Sequence, residues 1–272
     1  MLSPEQARAL AESLVERARS AGADASDAIY VGQESQGVSV RLGELEHVDR
    51  SEGEEIGLRA FIGSRSASVA TSDFSREALD ALVTRVLAMA AEAPEDPYAG
   101  LAPAELLHRG PLPDIDPQDP SDLDPGVLRE RALAAERSAL AVAGVANSSG
   151  GSASTSAGTT ALATSGGFSG AYRATGYSCS VSVVAGEGAA MQRDHAWHGA
   201  RHLEDLEDPK DIGRLAGNRA VARLGPSKPK PGEIPDVSDL VIPRTMLVPA
   251  RPARPPLIIM ARTVDAAMLI PA

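Results

Sequence analysis

The sequence predicts an α+β protein with two successive helix–β-meander–helix domains and a proline-rich tail. Stretches with helical periodicity alternate with groups of short segments in which polar and apolar residues alternate, and this order occurs twice. Half of the twenty prolines lie in residues 226–272, where they interrupt every apolar run. Aromatic residues make up only 3% of the chain, so the core must be built from Ala, Val, Leu and Ile.

The first predicted domain covers residues 1–93. Ser3 caps a helix that Pro4 opens and Gly22 ends. Asp73 or Ser75 caps a second helix. Between the helices, alternation predicts strands at Ala28–Val31, Gly37–Leu42, Glu46–Ser51, Ile56–Ile62 and Ser66–Thr71, with turns at Gly32, Gly43-Glu44 and Gly63–Arg65.

The second predicted domain covers residues 125–225 and follows a Pro/Asp-rich linker, residues 94–124. Asp124 opens a helix to about Val142, and Asp208 caps the last helix. The Ser/Gly-rich stretch Val145–Thr164 could be a disordered linker, but its alternation of small polar and apolar residues favours strands. Turns are predicted at Gly150-Gly151 and Gly166-Gly167, which lack the residues of a phosphate-binding loop.

The tail, residues 226–272, has two interpretations. It is a natural disordered tail or the remnant of a lost domain. Its apolar residues are more numerous than in most disordered tails, which favours a truncated, frame-altered remnant.

Charge and cysteine content restrict the possible partners. A net charge of −11 disfavours binding to the phosphate backbone of nucleic acids. Cys179 is the single cysteine, so neither an intrachain disulfide nor a cysteine zinc site can form, and a reducing compartment is expected. No signal peptide and no run of membrane-spanning length occurs. We therefore predict a cytoplasmic protein with no nucleic-acid and no membrane partner.

Several segments, in the same order and spacing, resemble the first two domains of the TldD/PmbA family, also known as modulators of DNA gyrase. They are Gly43–Val48, Gly57–Phe61, Ala67–Asp73, Asp96–Leu101, Asn147–Gly151, Ser165–Phe168, Met191–Asp194 and Leu224–Pro226. Met191–Asp194 is more similar to the PmbA, or TldE, branch than to the TldD branch.

The resemblance implies a subunit of a heterodimeric zinc metalloprotease that cleaves extended or unfolded peptides. In this family the zinc ion lies on the TldD-like partner, in a β-rich carboxy-terminal domain with a His-Glu-x-x-x-His motif. No such motif occurs here, and the tail stands in place of that domain. The expectation is a non-catalytic, truncated TldE/PmbA-like subunit with no catalytic, cofactor or metal residues. The alternative is a stand-alone binding or structural protein, so whether the chain is an enzyme stays open.

Other local patterns have both a functional and a structural interpretation. On a helix, His195, His198 and His202 would share one face and could bind zinc, but strand patterning predicts surface histidines instead. Glu52, Glu54 and Glu55 are predicted to form a solvated turn; the alternative is a rim that orients a charged peptide. The aromatic residues Trp197 and Tyr177 are predicted core residues, with an interface role as the alternative. Exposed strand edges offer docking for extended peptides by strand addition.

Overall fold

One continuous antiparallel sheet of six strands runs through both predicted domains, in the order β3-β2-β1-β4-β5-β6. The computed structural model describes residues 1–227, so the predictions for the remainder of the tail lie outside the described residues. The α+β class and the repeated order of helix, strands and helix are confirmed. None of the helices in this part of the chain is long and apolar enough to cross a membrane.

The elements follow one another in two similar halves. The first half consists of α1 (Pro4–Ser20), β1 (Ala25–Arg41), β2 (Glu44–Ile62), β3 (Arg65–Thr71) and α2 (Arg76–Glu92). The second half consists of α3 (Pro125–Leu140), β4 (Val145–Thr164), β5 (Ser169–Ala185), β6 (Gln192–Ala200) and α4 (Pro209–Ala222). Single turns of 3-10 helix lie at Ala104–Leu106, Gly188–Ala190 and Leu203–Asp205.

All four helices begin at the capping residues that the sequence indicates. The Ser3 hydroxyl accepts a hydrogen bond from the Gln6 amide at 3.2 Å, and the side chains of Ser75, Asp124 and Asp208 accept equivalent bonds. These side chains satisfy amide groups that have no partner within the first helical turn. Local chemistry therefore sets the helix starts.

The strands are longer than predicted, and two predicted turns are wrong. Gly32 and Gly150-Gly151 lie inside β1 and β4. Gly150 has a φ of 119° at an irregularity in the β4–β5 register, whereas small size explains Gly32 and Gly151. A Cβ on Gly32 would lie 2.4 Å from the Tyr30 hydroxyl, and one on Gly151 would lie 2.7 Å from the Ala132 carbonyl oxygen. Both glycines allow close packing of neighbouring groups. The turn at Gly43 and the strands within Val145–Thr164 are confirmed.

The Glu52, Glu54 and Glu55 group is also not a turn, because it lies within β2. These residues pair with β1, in the register Glu52 to Glu34, Glu54 to Gly32 and Glu55 to Val31. Acidic residues are uncommon in strands, but this strand borders solvent, so its charged side chains stay hydrated. The long β1–β2 hairpin therefore replaces the several short strands that we predicted.

Pairing of β1 with β4 joins the two halves into one sheet. The register runs from Asp27 opposite Thr164 to Val40 opposite Gly151. The helices pack on one face, where Tyr30 and Leu58 are buried in the first half and Val181 in the second. The other face, reached by alternate residues of each strand, carries partly exposed side chains such as Ile29. We call this second face the open face.

A buried carboxylate also connects the halves. Glu136 of α3 is fully buried, and its two carboxylate oxygens accept hydrogen bonds of 2.8 Å from the amides of Leu42 and Gly43. Leu42 has a φ of 51°, a conformation that is unfavourable for leucine. The second half of the chain thus holds the turn of the β1–β2 hairpin in the first half.

Candidate functional site

The three candidate histidines are not brought together. His195 and His198 lie on β6, opposite Ser182 and Cys179 in the register, so their side chains point to opposite faces of the sheet. His202 lies beyond the end of this strand. Within residues 1–227, no three His, Cys, Asp or Glu side chains are grouped as metal ligands would be.

The partners of these histidines are local. The ring of His198 accepts a hydrogen bond from the Glu207 amide at 3.3 Å. His202 Nε2 lies 2.9 Å from the Asp116 carbonyl oxygen, and this hydrogen bond raises the pKa of His202. The Asp194 carboxylate beside His195 pairs with Arg223. Each imidazole therefore belongs to a separate surface contact.

His202 and Asp119 hold the connection between the halves against the sheet. Asp119 accepts hydrogen bonds from the Leu203 and Ser121 amides, which lower the pKa of its carboxyl group. The Tyr177 hydroxyl donates to the Ser121 carbonyl oxygen at 2.6 Å. Part of the predicted linker is thus an ordered strap, and the predicted core position of Tyr177 is confirmed.

The open face carries a patch built only from serine and glycine on three adjacent strands. Ser154 and Ser178 lie side by side with their hydroxyl oxygens 2.8 Å apart, and Ser152 and Ser180 form the same contact. We name this patch the serine face: Ser35, Gly37, Ser39, Ser152, Ser154, Ser156, Gly176, Ser178 and Ser180. Its small side chains make this part of the open face flat.

Trp197 stands at the border of the serine face, opposite Ser180 on β6. Its side chain is 65% exposed, so the predicted core position is wrong and the interface alternative is favoured. A shallow depression of about 450 Å³ lies between Trp197, Arg201 and the serine hydroxyls. The strand alternation that points Trp197 outward could have been recognised, because Ala196 beside it is the buried residue.

The outer edge of β2 is a second accessible region. β3 pairs only with Ile56–Ile62, so residues 44–55 have a strand neighbour on one side alone within the described part of the chain. We call residues 44–55 the free edge of β2. Its residues are exposed except Glu54, which is partly buried and accepts a hydrogen bond from the Tyr30 hydroxyl at 2.6 Å.

The single cysteine is not exposed as a nucleophile. Cys179 is completely buried, and burial raises the pKa of its thiol to about 11. A thiol of that pKa stays protonated and unreactive at neutral pH. The accessible features of the described residues are a flat polar face, a free strand edge and one exposed tryptophan.

Comparison with known proteins agrees with this architecture. Two domain models match, described as PmbA/TldA metallopeptidase domain 1 (residues 26–90) and PmbA/TldA metallopeptidase central domain (residues 116–224). Together they span more than half of the chain. Metalloprotease PmbA of Escherichia coli O157:H7 is 32% identical over 228 residues, which cover 82% of this chain and 50% of that protein.

A PmbA homolog of Haemophilus influenzae is also 32% identical, over 222 residues that cover 81% of this chain and 49% of the homolog. The chain thus spans about half the length of the curated relatives it matches. Among solved structures, a modulator of DNA gyrase from Bacteroides thetaiotaomicron shares the fold with a TM-score of 0.76 at 22% identity, covering 85% of this chain and 52% of that one. TldE from Thermococcus kodakarensis shares it with a TM-score of 0.63 at 16% identity, covering 77% and 46%.

The fold and the two domain matches define the class: a paired α+β module of the kind found in the first half of PmbA-type metallopeptidases. The chain belongs to the PmbA/TldD family.

Proposed function

We propose that this chain acts as a non-catalytic, TldE/PmbA-like subunit of a cytoplasmic, heterodimeric zinc metalloprotease that cleaves extended peptides. The supporting observation is the match to both family domains in a chain whose five histidines include none followed by glutamate. A TldD-like partner would then carry the zinc ion. The open face and the strand edges would contribute contacts to that partner and to the peptide.

The donor set of the described residues does not fit a catalytic zinc ion. His195 and His198 point to opposite faces of β6, and His202 is engaged with the connection between the halves. A catalytic zinc site needs three protein ligands that converge on one point. We therefore derive no hydrolytic step on this chain.

Its role in the assembly would be binding. Extended peptides present free amide and carbonyl groups, which pair with the edge of a sheet whatever their side chains. The serine face adds hydroxyl groups. This combination suits substrates that are recognised by conformation more than by sequence.

The test is reconstitution with a purified TldD-like subunit. Each protein alone and the equimolar mixture are compared by size-exclusion chromatography with light scattering, by zinc analysis and by cleavage of an unfolded protein. We expect a 1:1 complex whose zinc content comes from the TldD-like subunit, and no cleavage by this chain alone. Zinc-dependent cleavage by this chain alone would overturn the proposal.

Absence of a complex would instead support the alternative of a stand-alone binding protein. Replacement of the exposed tryptophan, Trp197→Ala, serves as an interface variant, with Tyr172→Ala as its matched control because Tyr172 is an exposed aromatic residue of the same face. Weaker assembly of the Trp197 variant alone would locate the contact at the serine face.

A further inference from the structure

The free edge of β2 has the geometry of a strand-docking site. Residues 44–55 extend over about 40 Å at the spacing of a β-strand. Along this length β1 occupies one side, and in the described part of the chain no strand occupies the other. Every second residue of such an edge directs its amide and carbonyl groups outward, where another strand can pair with them.

This edge is held in place before any ligand arrives. Its inner side is paired with β1 along the whole hairpin, from Arg41 opposite Glu44 to Val31 opposite Glu55. At the hairpin turn, the buried carboxylate of Glu136 holds the amides of Leu42 and Gly43. A preformed strand loses little conformational freedom on binding, so affinity is not reduced by ordering of the site.

The free edge of β2 carries a large excess of negative charge. Arg50 is its single arginine, and it has no lysine. Six side chains are acidic: Glu44, Glu46, Asp49, Glu52, Glu54 and Glu55.

Contacts within the chain engage some of these carboxylates. His47 Nε2 lies 2.7 Å from Asp49, and Arg41 lies 3.9 Å from Glu46. The Met1 amino group lies 2.8 Å from Glu54 and 3.9 Å from Glu52. The two exposed pairs, His47 with Asp49 and Arg41 with Glu46, neutralise the field of an acidic strand only weakly, whereas the Met1 amino group pairs with the partly buried Glu54.

This charge pattern discriminates between the possible occupants. A second copy of the chain would place acidic residues opposite acidic residues, which destabilises a strand pair. Charged side chains on an edge strand are a common protection against such self-association. The same side chains attract an incoming strand with lysine or arginine at alternate positions, because opposite charges on paired strands stabilise each other.

We infer that the free edge of β2 binds an extended, basic peptide segment by strand addition. This inference deepens the proposed function by naming a class of peptide. It rests on the proposed function only because that function brings extended peptides to the chain. Binding is measured on this chain alone, without a TldD-like subunit. A failure to bind the basic peptide is therefore distinguishable from a failure to assemble with a TldD-like subunit.

The test uses fluorescence anisotropy with a labelled ten-residue peptide in which lysine alternates with threonine or valine. Two further peptides carry N-methyl groups on either the odd or the even backbone amides. A paired strand needs the amides of one parity only. The amides of one parity face the free edge of β2, and the amides of the other parity face away from it. We expect the peptide that is methylated on the facing amides to lose binding and the other methylated peptide to retain it.

The protein variants test the charge requirement. Glu44→Gln with Glu55→Gln removes two exposed carboxylates that form no ion pair with any of residues 1–227, and about three- to tenfold weaker binding is expected. Glu77→Gln with Glu92→Gln, two exposed residues of α2, removes the same charge elsewhere and should leave binding unchanged. Equal binding of all three peptides would overturn the inference, and so would equal weakening by both variants.

Discussion

The two halves of the sheet repeat the same order of elements but differ in how closely their helices approach one another. The first core contains large aliphatic side chains such as Leu14, Ile56 and Leu58 on the sheet and helices. The second core combines alanines with Val181, Val183 and Ile212, and in α4 the glycines Gly213 and Gly217 contact α3 directly. Close approach of helix backbones thus adds to side-chain packing in the second half. The second half should therefore be sensitive to larger side chains as well as to smaller ones.

The largest expected effect is a truncation in the first core. Leu58→Ala removes a side chain that is 1% exposed, and we expect a loss of about 2–5 kcal/mol in the free energy of unfolding. Val181→Ala in the second core, at 2% exposure, should cost less because fewer carbon atoms are removed. Urea denaturation followed by circular dichroism measures both, and equal losses would contradict the expected dependence on the number of buried carbon atoms removed.

The reverse experiment adds one methyl group to the second core. A Cβ on Gly213 would lie 2.1 Å from the Ala135 carbonyl oxygen, so Gly213→Ala should destabilise by about 1–3 kcal/mol. An exposed helical glycine would normally gain stability from the same change. Gly53→Ala is the control, because nothing lies within 4 Å of its added Cβ. Stabilisation by Gly213→Ala in thermal melts would show that the helices can separate without cost.

A third prediction concerns the contact between the halves. Glu136→Ala removes the acceptor for two amides at the hairpin turn, and we expect a loss of about 1–2 kcal/mol, with water replacing part of the contact. Hydrogen exchange should show faster exchange at Leu42 and Gly43, while the amides of Leu58 remain protected. Uniformly faster exchange across the first half would indicate that Glu136 stabilises the whole sheet instead of its turn.

The smallest effect concerns pH and the strap between the halves. The pKa of His202 is raised in the folded state, so its contribution is present in full below the ordinary histidine pKa of about 6.5. It is lost as the pH rises through the raised folded value. His202→Gln should therefore lower the melting temperature more at pH 5.5 than at pH 8.5. An equal decrease at both pH values would show that protonation does not stabilise the strap.

Local signals were sufficient for some elements and insufficient for others. Helix starts could be predicted because Ser3 and Asp124 act within a few residues of chain. Strand lengths could not be predicted in the same way. Gly32 and Gly151 make room for Tyr30 and Ala132, and these contacts exist only in the folded chain. A glycine needed for close approach looks the same in a sequence as a glycine needed for a turn.

The candidate surfaces show the same division. Alternation along β6 carries the information that Trp197 faces outward, but the scarcity of aromatic residues favoured a core position. The free edge of β2 could not be derived from any local pattern, since it exists only because β3 is shorter than its neighbour. Binding surfaces that arise from unequal strand lengths require the topology to be known.

The contact of Glu136 with the β1–β2 turn has a consequence for the order of events during synthesis. A ribosome releases the hairpin long before α3, so the strained turn at Leu42 has no carboxylate to hold it while the first half folds. The pairing of β1 with β4 must wait for even more of the chain. The nascent first half would thus carry a loosened hairpin tip, with one whole side of β1 unpaired, until the second half emerges. Chaperones that recognise exposed strands would bind the nascent chain before its second half emerges.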